Sequence, residues 1–275
     1  MSTVQAALAA AAVELAAAGV AEPVRDARAL LAAALGVGSA GLTPVLREPL
    51  APQAAARFAA HVAARAARRP VAQILGRRAF WGRDFAVTAD VLDPRPETEA
   101  LVEIALAGPP PAHVLDLGVG SGAILVSLLA AWPDAYGVGV DMSAGALAVA
   151  AANAARHGVG ARAGFVRTDW LAGIGGPFGL VVGNPPYIAA PEVDGLAPEV
   201  RDWEPRMALT PGPLGVEAYA AIATGLRAVM SPGGRALFEI GAGQGASVAA
   251  IFDAAGFAVR VRPDLDGRDR VAELS

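Results

Sequence analysis

The string FGLVVGNPPYI sets Asn184, Pro185, Pro186 and Tyr187 directly after an apolar run, and each of the four has a chemical use. Pro185 keeps Asn184 out of helical conformation, and neither proline has a backbone N–H, so the segment is stiff and rich in acceptors. The Asn184 side-chain oxygen and the Pro185 carbonyl can each accept one proton of a planar –NH2 group, while the Tyr187 ring can pack on its face. Such a site suits a nitrogen whose lone pair is delocalised into a carbonyl or an aromatic ring. That nitrogen is a poor nucleophile, and two fixed acceptors on its N–H bonds favour the pyramidal, reactive state. No strong base is needed, because the nitrogen turns acidic as it gains positive charge, and no histidine or carboxylate adjoins the motif. Taken alone, the tetrapeptide also reads as a proline-rich turn after a strand.

A second constellation lies upstream. HVLDLGVGSGAILVSLLA places Gly118, Val119, Gly120, Ser121 and Gly122 between a predicted strand and a predicted helix. Glycines there let the chain turn sharply and bring a ligand against the helix N-terminus. Asp141 ends the next strand, 23 residues after Gly118, where a carboxylate can accept hydrogen bonds from ribose hydroxyls. The pair implies an adenosine-containing cofactor. Gly118-x-Gly120-x-x-Ala123 also fits the dinucleotide fingerprint, and a ligand-free glycine turn is a further reading. Asp116, two residues before Gly118, would repel a pyrophosphate but could receive the ammonium of S-adenosylmethionine, which favours the methyl donor.

Composition narrows the chemistry further. The chain of 275 residues has no cysteine, so disulfides, cysteine metal sites and thiolate nucleophiles are excluded. It has no lysine either, which argues against phosphate-loop NTPases and lysine Schiff-base enzymes. His61, His113 and His157 are too scattered for a zinc helix, and no metal is expected. No apolar stretch reaches the ~18 residues of a membrane span, and no cation precedes the first apolar run as in a secretory signal. A soluble, cytoplasmic monomer is the expectation. The net charge of −4 conceals an asymmetry, +4 over residues 1–95 and −8 over 96–275. The basic front, with Arg57, Arg65, Arg68, Arg69, Arg77, Arg78 and Arg83, reads as a solvated face or as a dock for an acidic protein, and the acidic remainder argues against stable nucleic-acid binding.

These residues need a scaffold. Residues 1–70 read as an alanine-rich helical domain, with helices ending near Gly19, running from Pro23 to Gly36, and running from Pro52 to Arg69. Residues 71–95 (VAQILG, RRAFWG, RDFAVTADVL) read as a β-hairpin linker. The segment 96–275 opens with a helix near Pro96, carrying Glu97 and Glu99 at its start. It then alternates strands (HVLDL, AYGVGV, AGFVR, FGLVVG, GRALFEI, AVRVR, VAEL) with helices, the pattern of an α/β domain built on a parallel sheet.

The assembled motifs resemble those of the release-factor glutamine methyltransferases, the PrmC or HemK family. They are PVAQILG (70–76), FWG (80–82), VLDPRPETE (91–99), VLDLGVGSG (114–122), GVDMSAGALAVAAANA (139–154), TDW (168–170), GNPPYI (183–188), DWEPRMAL (202–209), GGRALFEIGAGQ (233–244) and DLDGRDRV (264–271). The resemblance implies a class I S-adenosylmethionine-dependent methyltransferase with a Rossmann-like seven-stranded sheet, behind a helical domain that docks the substrate protein. It implies methyl transfer to the side-chain amide nitrogen (N5) of the glutamine in the Gly-Gly-Gln motif of class-1 peptide chain release factors, tuning translation termination. Adenine N6-methyltransferases carry similar tetrapeptides, so methylation of nucleic acid is the alternative. By position, the donor lies against Gly118, Val119, Gly120, Ser121, Gly122 and Asn184, with its ribose on Asp141 and its adenine beside Trp170. Asn184, Pro185, Pro186 and Tyr187 hold the glutamine amide. Arg95 and Glu97 receive no definite role. Four residues depart from the family pattern: Asp93 for an apolar residue, Val119 for threonine, Gly183 for serine and Trp203 for tyrosine.

Overall fold

The computed structural model describes residues 2–264 and 266–275, so Leu265 of the DLDGRDRV motif lies outside the described residues. The chain divides into two compact units, Met1–Gly76 with Ala197–Trp203, and Arg77–Leu196 with Glu204–Ser275. None of the described helices is long and apolar enough to cross a membrane.

The first unit contains α1 (Val4–Ala17), α2 (Pro23–Leu35), α3 (Leu42–Val45), α4 (Pro52–Ala66) and α5 (Val71–Leu75). Thr3 caps α1 by accepting the Ala6 N–H at 3.2 Å. Pro23 and Pro52 stand in the first turns of their helices, where the missing N–H costs nothing. Gly36 closes α2 at φ +71°. Leu15, Leu30, Leu31, Leu42 and Phe58 form the centre of an apolar core between these helices. VAQIL, expected as part of the hairpin, is instead the short helix α5. Pro70 supplies its N-cap and Gly76, at φ +67°, its C-cap, so local punctuation outweighs the strand-like composition of the run.

Part of the basic front is consumed within this unit. Arg65 is buried and pairs with Asp26 and with Glu199, each at 2.7 Å. Arg68 donates to both oxygens of Glu199, at 2.9 and 2.7 Å. The Arg57 guanidinium donates to the Ala34 carbonyl, and that of Arg69 lies 5.7 Å from the centre of the Trp203 ring. Burial works against charge on Glu199, but hydrogen bonds from Arg68 and Arg65 outweigh it and hold the carboxyl at about 2. The expected docking face is therefore corrected for Arg65 and Arg68, which neutralise acids of their own unit.

The second unit begins with the hairpin β1 (Arg77–Phe80) and β2 (Arg83–Ala86), followed by α6 (Glu99–Leu106), β3 (His113–Leu117), α7 (Ala123–Ala131), β4 (Tyr136–Asp141), α8 (Ala144–Arg156), β5 (Ala163–Arg167) and β6 (Phe178–Gly183). After α9 (Pro198–Arg201), which belongs to the first unit, come α10 (Arg206–Leu209), α11 (Glu217–Val229), β7 (Met230–Glu239), α12 (Gly245–Ala254), β8 (Val259–Pro263) and β9 (Asp269–Leu274). The sheet has seven strands in the order β5-β4-β3-β6-β7-β9-β8. Its first five are parallel, but β9 runs antiparallel to β7 and β8. The parallel sheet expected from strand–helix alternation is present in these five strands, and at the β9–β8 edge the short 264–268 connection permits only a hairpin.

Side chains alternate across the sheet. Val114, Leu180, Val182 and Leu237 face α6, α7 and α8, whereas Leu115, Leu117, Val181 and Phe238 face α11 and α12. Each family departure has a local account. Val119 fills the space beside Gly139, where a Cβ would stand 2.7 Å from Val119 Cγ2. Asp93 is buried with Arg78 3.6 Å away, and Trp203 lies under Arg69 while its carbonyl accepts from Gln73. Gly183 pairs with Leu117, and a Cβ there would sit 2.7 Å from the Leu117 carbonyl oxygen.

Two stability outcomes follow from this packing. Gly183→Ser, although it restores the family residue, is expected to destabilise the protein by about 1–3 kcal/mol, since neighbouring backbone must move. Glu199→Ala leaves the buried Arg65 with one counter-ion in place of two and is expected to cost about 2 kcal/mol. Urea denaturation of each variant measures both, and an unchanged midpoint contradicts the account.

Candidate active site

The strand order fixes what meets at the carboxyl edge of the sheet. In parallel register, Leu117 at the end of β3 stands beside Val140 of β4 on one side and Gly183 of β6 on the other. The next residues are therefore neighbours: Asp141 ending β4, the glycine loop leaving β3, and Asn184 leaving β6. The chain runs from β3 outward to β5 and then returns to place β6 on the opposite flank of β3, which makes this edge a topological switch point.

A cleft open to solvent lies here, walled by residues from both flanks of the switch point. Of the residues expected from sequence, Gly118, Val119, Gly120, Ser121, Asp141, Trp170, Asn184 and Pro186 line it. Gly118 and Gly120 have φ of +70° and +53°, a backbone that side chains rarely adopt. The Asp141 carboxylate is held by two backbone donors, Gly120 N–H at 3.0 Å and Ser143 N–H at 2.9 Å. Trp170 also has positive φ, +46°, and its ring edge lies 3.7 Å from where a Cβ on Gly118 would be.

Gly122, Pro185 and Tyr187 are not in the cleft wall. Gly122 is the N-cap of α7 and packs against Ala150, where a Cβ would lie 3.2 Å from its Cα. Pro185 is buried. Tyr187, expected on the face of an acceptor amide, packs with the core under α11 and α12, and its hydroxyl stands 3.5 Å from Glu239 Oε1. Burial and the Glu239 charge push its phenol up to about 12. Asp116 also departs from expectation. It is 1% exposed and does not line the cleft, and its Oδ2 accepts the Leu125 N–H at the start of α7.

The structure adds residues that local motifs do not reveal. Thr98, in the 3₁₀ turn Pro96–Thr98, lines the cleft and donates its hydroxyl to Glu239 Oε2 at 2.5 Å. Asn184 Nδ2 donates to the same Thr98 oxygen at 3.3 Å. A carboxylate thus stands two hydrogen bonds from Asn184, although none adjoins the tetrapeptide in sequence. Arg95 lines the cleft and donates to the buried Glu204 at 2.6 Å, with Asp93 and Arg78 close by. Met142 and Met207, each about half exposed, add apolar surface to the wall. Glu239 had a sequence signal, as the acid ending an otherwise apolar strand; Thr98 had none beyond its place in PRPETE.

Comparison with known proteins concerns the chain as a whole. Residues 6–76 match the PrmC N-terminal domain, and residues 90–198 match the methyltransferase small domain. The chain is 58% identical to a release factor glutamine methyltransferase of Cereibacter sphaeroides over 96% of its length and 95% of that protein. It is 44% identical to a protein of the same name from Caulobacter vibrioides, covering 92% of this chain and 90% of that one. Among solved structures, a methyltransferase from Pyrococcus furiosus superposes with a TM-score of 0.54 at 13% identity, covering 71% of this chain and 90% of its own. That likeness concerns the fold.

Three buried acids around this edge share one electrostatic property. Burial raises Asp116, Glu204 and Glu239 each to about 7, against hydrogen bonds or cations that favour their charge. Between pH 4.5 and about 7 the folded protein therefore keeps protons that the unfolded chain has already lost. Stability falls as pH rises through that window. Urea unfolding at both ends should show the decline, and Asp116→Asn should flatten it; stability that climbs with pH across the window contradicts the assignment.

Proposed function

We propose a reaction from one premise: this chain belongs to the release factor glutamine methyltransferase family. It is a methyltransferase, and its acceptor is the side-chain amide nitrogen of the glutamine in the Gly-Gly-Gln motif of class-1 peptide chain release factors. The observation that carries this reading is the placement of Asn184 in the wall of a cleft whose neighbouring strand ends carry the glycine loop and Asp141.

The residues fit S-adenosylmethionine as the donor. Gly118 and Gly120 allow close backbone approach, the Asp141 carboxylate is preset toward a diol, and the Trp170 ring offers a flat apolar face. The donor, when bound, supplies an electrophilic methyl group on a sulfonium. Everything else is done by the chain. Asn184 Oδ1 in the cleft wall takes one amide N–H, and the carbonyl of Pro185, a residue otherwise buried behind that wall, takes the other, which turns the nitrogen lone pair out of conjugation and holds it in one direction. These acceptors grow stronger partners as the nitrogen becomes positive, so they stabilise the transition state more than the ground state. The apolar wall, including Met142 and Met207, excludes water that would compete for those N–H groups. The first unit, whose family counterpart is the PrmC N-terminal domain, docks the release factor.

Incubation with S-adenosylmethionine and a class-1 release factor, followed by peptide mass mapping, is expected to place one methyl group on that glutamine. Methyl found on nucleic acid, or nowhere, overturns the reading. Asn184→Ala is expected to lower turnover by ~10²-fold or more while S-adenosylhomocysteine binding, measured by calorimetry, stays near the parent value.

A further inference from the structure

The Asn184 amide can serve the acceptor only one way round. With oxygen toward the incoming –NH2 it accepts a proton; reversed, it sets two N–H groups against two others. The two ends have nearly the same shape, so packing alone selects neither, and a hydrogen-bond partner of fixed polarity is required. Thr98 has that polarity. With Glu239 ionised, the one proton of the Thr98 hydroxyl goes to Glu239 Oε2 at 2.5 Å, so Thr98 offers Asn184 only lone pairs, and Nδ2 occupies them at 3.3 Å. Among the described residues no donor reaches Asn184 Oδ1.

The geometry points to Thr98 and Glu239 as positioning residues that hold Asn184 with its nitrogen inward and its oxygen toward the acceptor amide. This deepens the reading above and rests on it. Both are rigidly placed: Thr98 is 4% and Glu239 1% exposed. The register pairs Gly183 with Phe238, so Asn184 and Glu239 are each the next residue on adjacent parallel strands. Polarity therefore passes from a carboxylate at the end of β7, through one hydroxyl, to the amide at the end of β6. Neither Thr98 nor Glu239 touches the acceptor in this scheme; they act through Asn184.

A double-mutant cycle separates this role from simple support of the fold. Thr98→Val keeps the shape without the hydroxyl and is expected to lower kcat by at least ~10-fold, with KM for the release factor and calorimetric S-adenosylhomocysteine affinity within about twofold. Thr98→Ser restores most of the lost turnover. In an Asn184→Ala background the orientation of the amide no longer exists, so adding Thr98→Val changes kcat by less than about twofold. Glu239→Gln, able to turn an –NH2 toward Thr98 and release the hydroxyl proton toward Asn184, lowers kcat while donor affinity persists, and reports by a second route should Thr98→Val fold poorly. The same loss from Thr98→Val in both backgrounds, or no rescue by serine, overturns the positioning role while leaving the acceptor assignment of Asn184 intact. If Asn184→Ala alone leaves kcat unchanged, the acceptor assignment fails and the positioning role with it.

Discussion

The constraint on which this protein rests is the register of four adjacent parallel strands, β4, β3, β6 and β7. Hydrogen bonds fix each strand against the next, so the residues that leave their carboxyl ends form a row whose spacing the chain cannot adjust freely. Asp141, the glycine loop, Asn184 and Glu239 make up that row. A one-residue slip would move Asn184 out of the row and turn the apolar face of β6 outward. The packing that prevents a slip is tight enough to demand glycine at 139 and 183, where a Cβ would meet Val119 or the Leu117 carbonyl. Precision at the edge is thus secured by the crowding of the interior behind it.

That interior also holds charge at a cost. Asp116, Glu204 and Glu239 are almost wholly shielded from water, and each titrates near neutrality in place of the usual acid range. Their partners differ in kind. Asp116 takes the Leu125 N–H at the start of α7, Glu204 takes the Arg95 guanidinium, and Glu239 takes the Thr98 hydroxyl. The first is a helix-end device close to the glycine loop, whereas the other two tie the PRPETE segment to strands and turns remote in sequence. This is how a 3₁₀ turn preceding the first sheet strand comes to form part of the cleft wall.

What could be read directly from the sequence was whatever is local. Gly118 to Ser121, Asp141, Trp170 and Asn184 announce themselves by short strings at strand ends, and all of them line the cleft. Tyr187 sits in such a string too, yet its ring is taken by the core and its hydroxyl by Glu239, because neighbours from α11 and α12 decide where an aromatic ring goes. The partnerships that matter most join residues far apart: Thr98 meets Glu239 across 141 positions and Asn184 across 86. The arginines of the first unit illustrate the same limit. Arg65 and Arg68 look like a free basic patch until Glu199, more than 130 residues later, is seen to pair with both. Element type was similarly legible where periodicity was long and failed for the five residues of α5, too few for a helical repeat to declare itself.

The choice of a neutral amide at position 184 carries a physical logic of its own. A carboxylate would accept the acceptor N–H bonds regardless of how it turned, since both its ends are oxygen. In a cleft proposed to receive a cationic donor, however, a negative charge would be drawn to that cation and would have to be desolvated before meeting the substrate. An amide avoids both costs and replaces them with one of information: something must specify which end faces the substrate. Thr98 alone does not supply it, because a hydroxyl can donate or accept. A buried carboxylate behind the hydroxyl does so in its ionised form, since it then accepts the single proton and leaves Thr98 only lone pairs to offer. In the proposed relay the charge of the ionised Glu239 is kept two residues away from the reacting atoms, behind Thr98 and Asn184, where its sign sets the polarity of the site but does not compete for the substrate's partners.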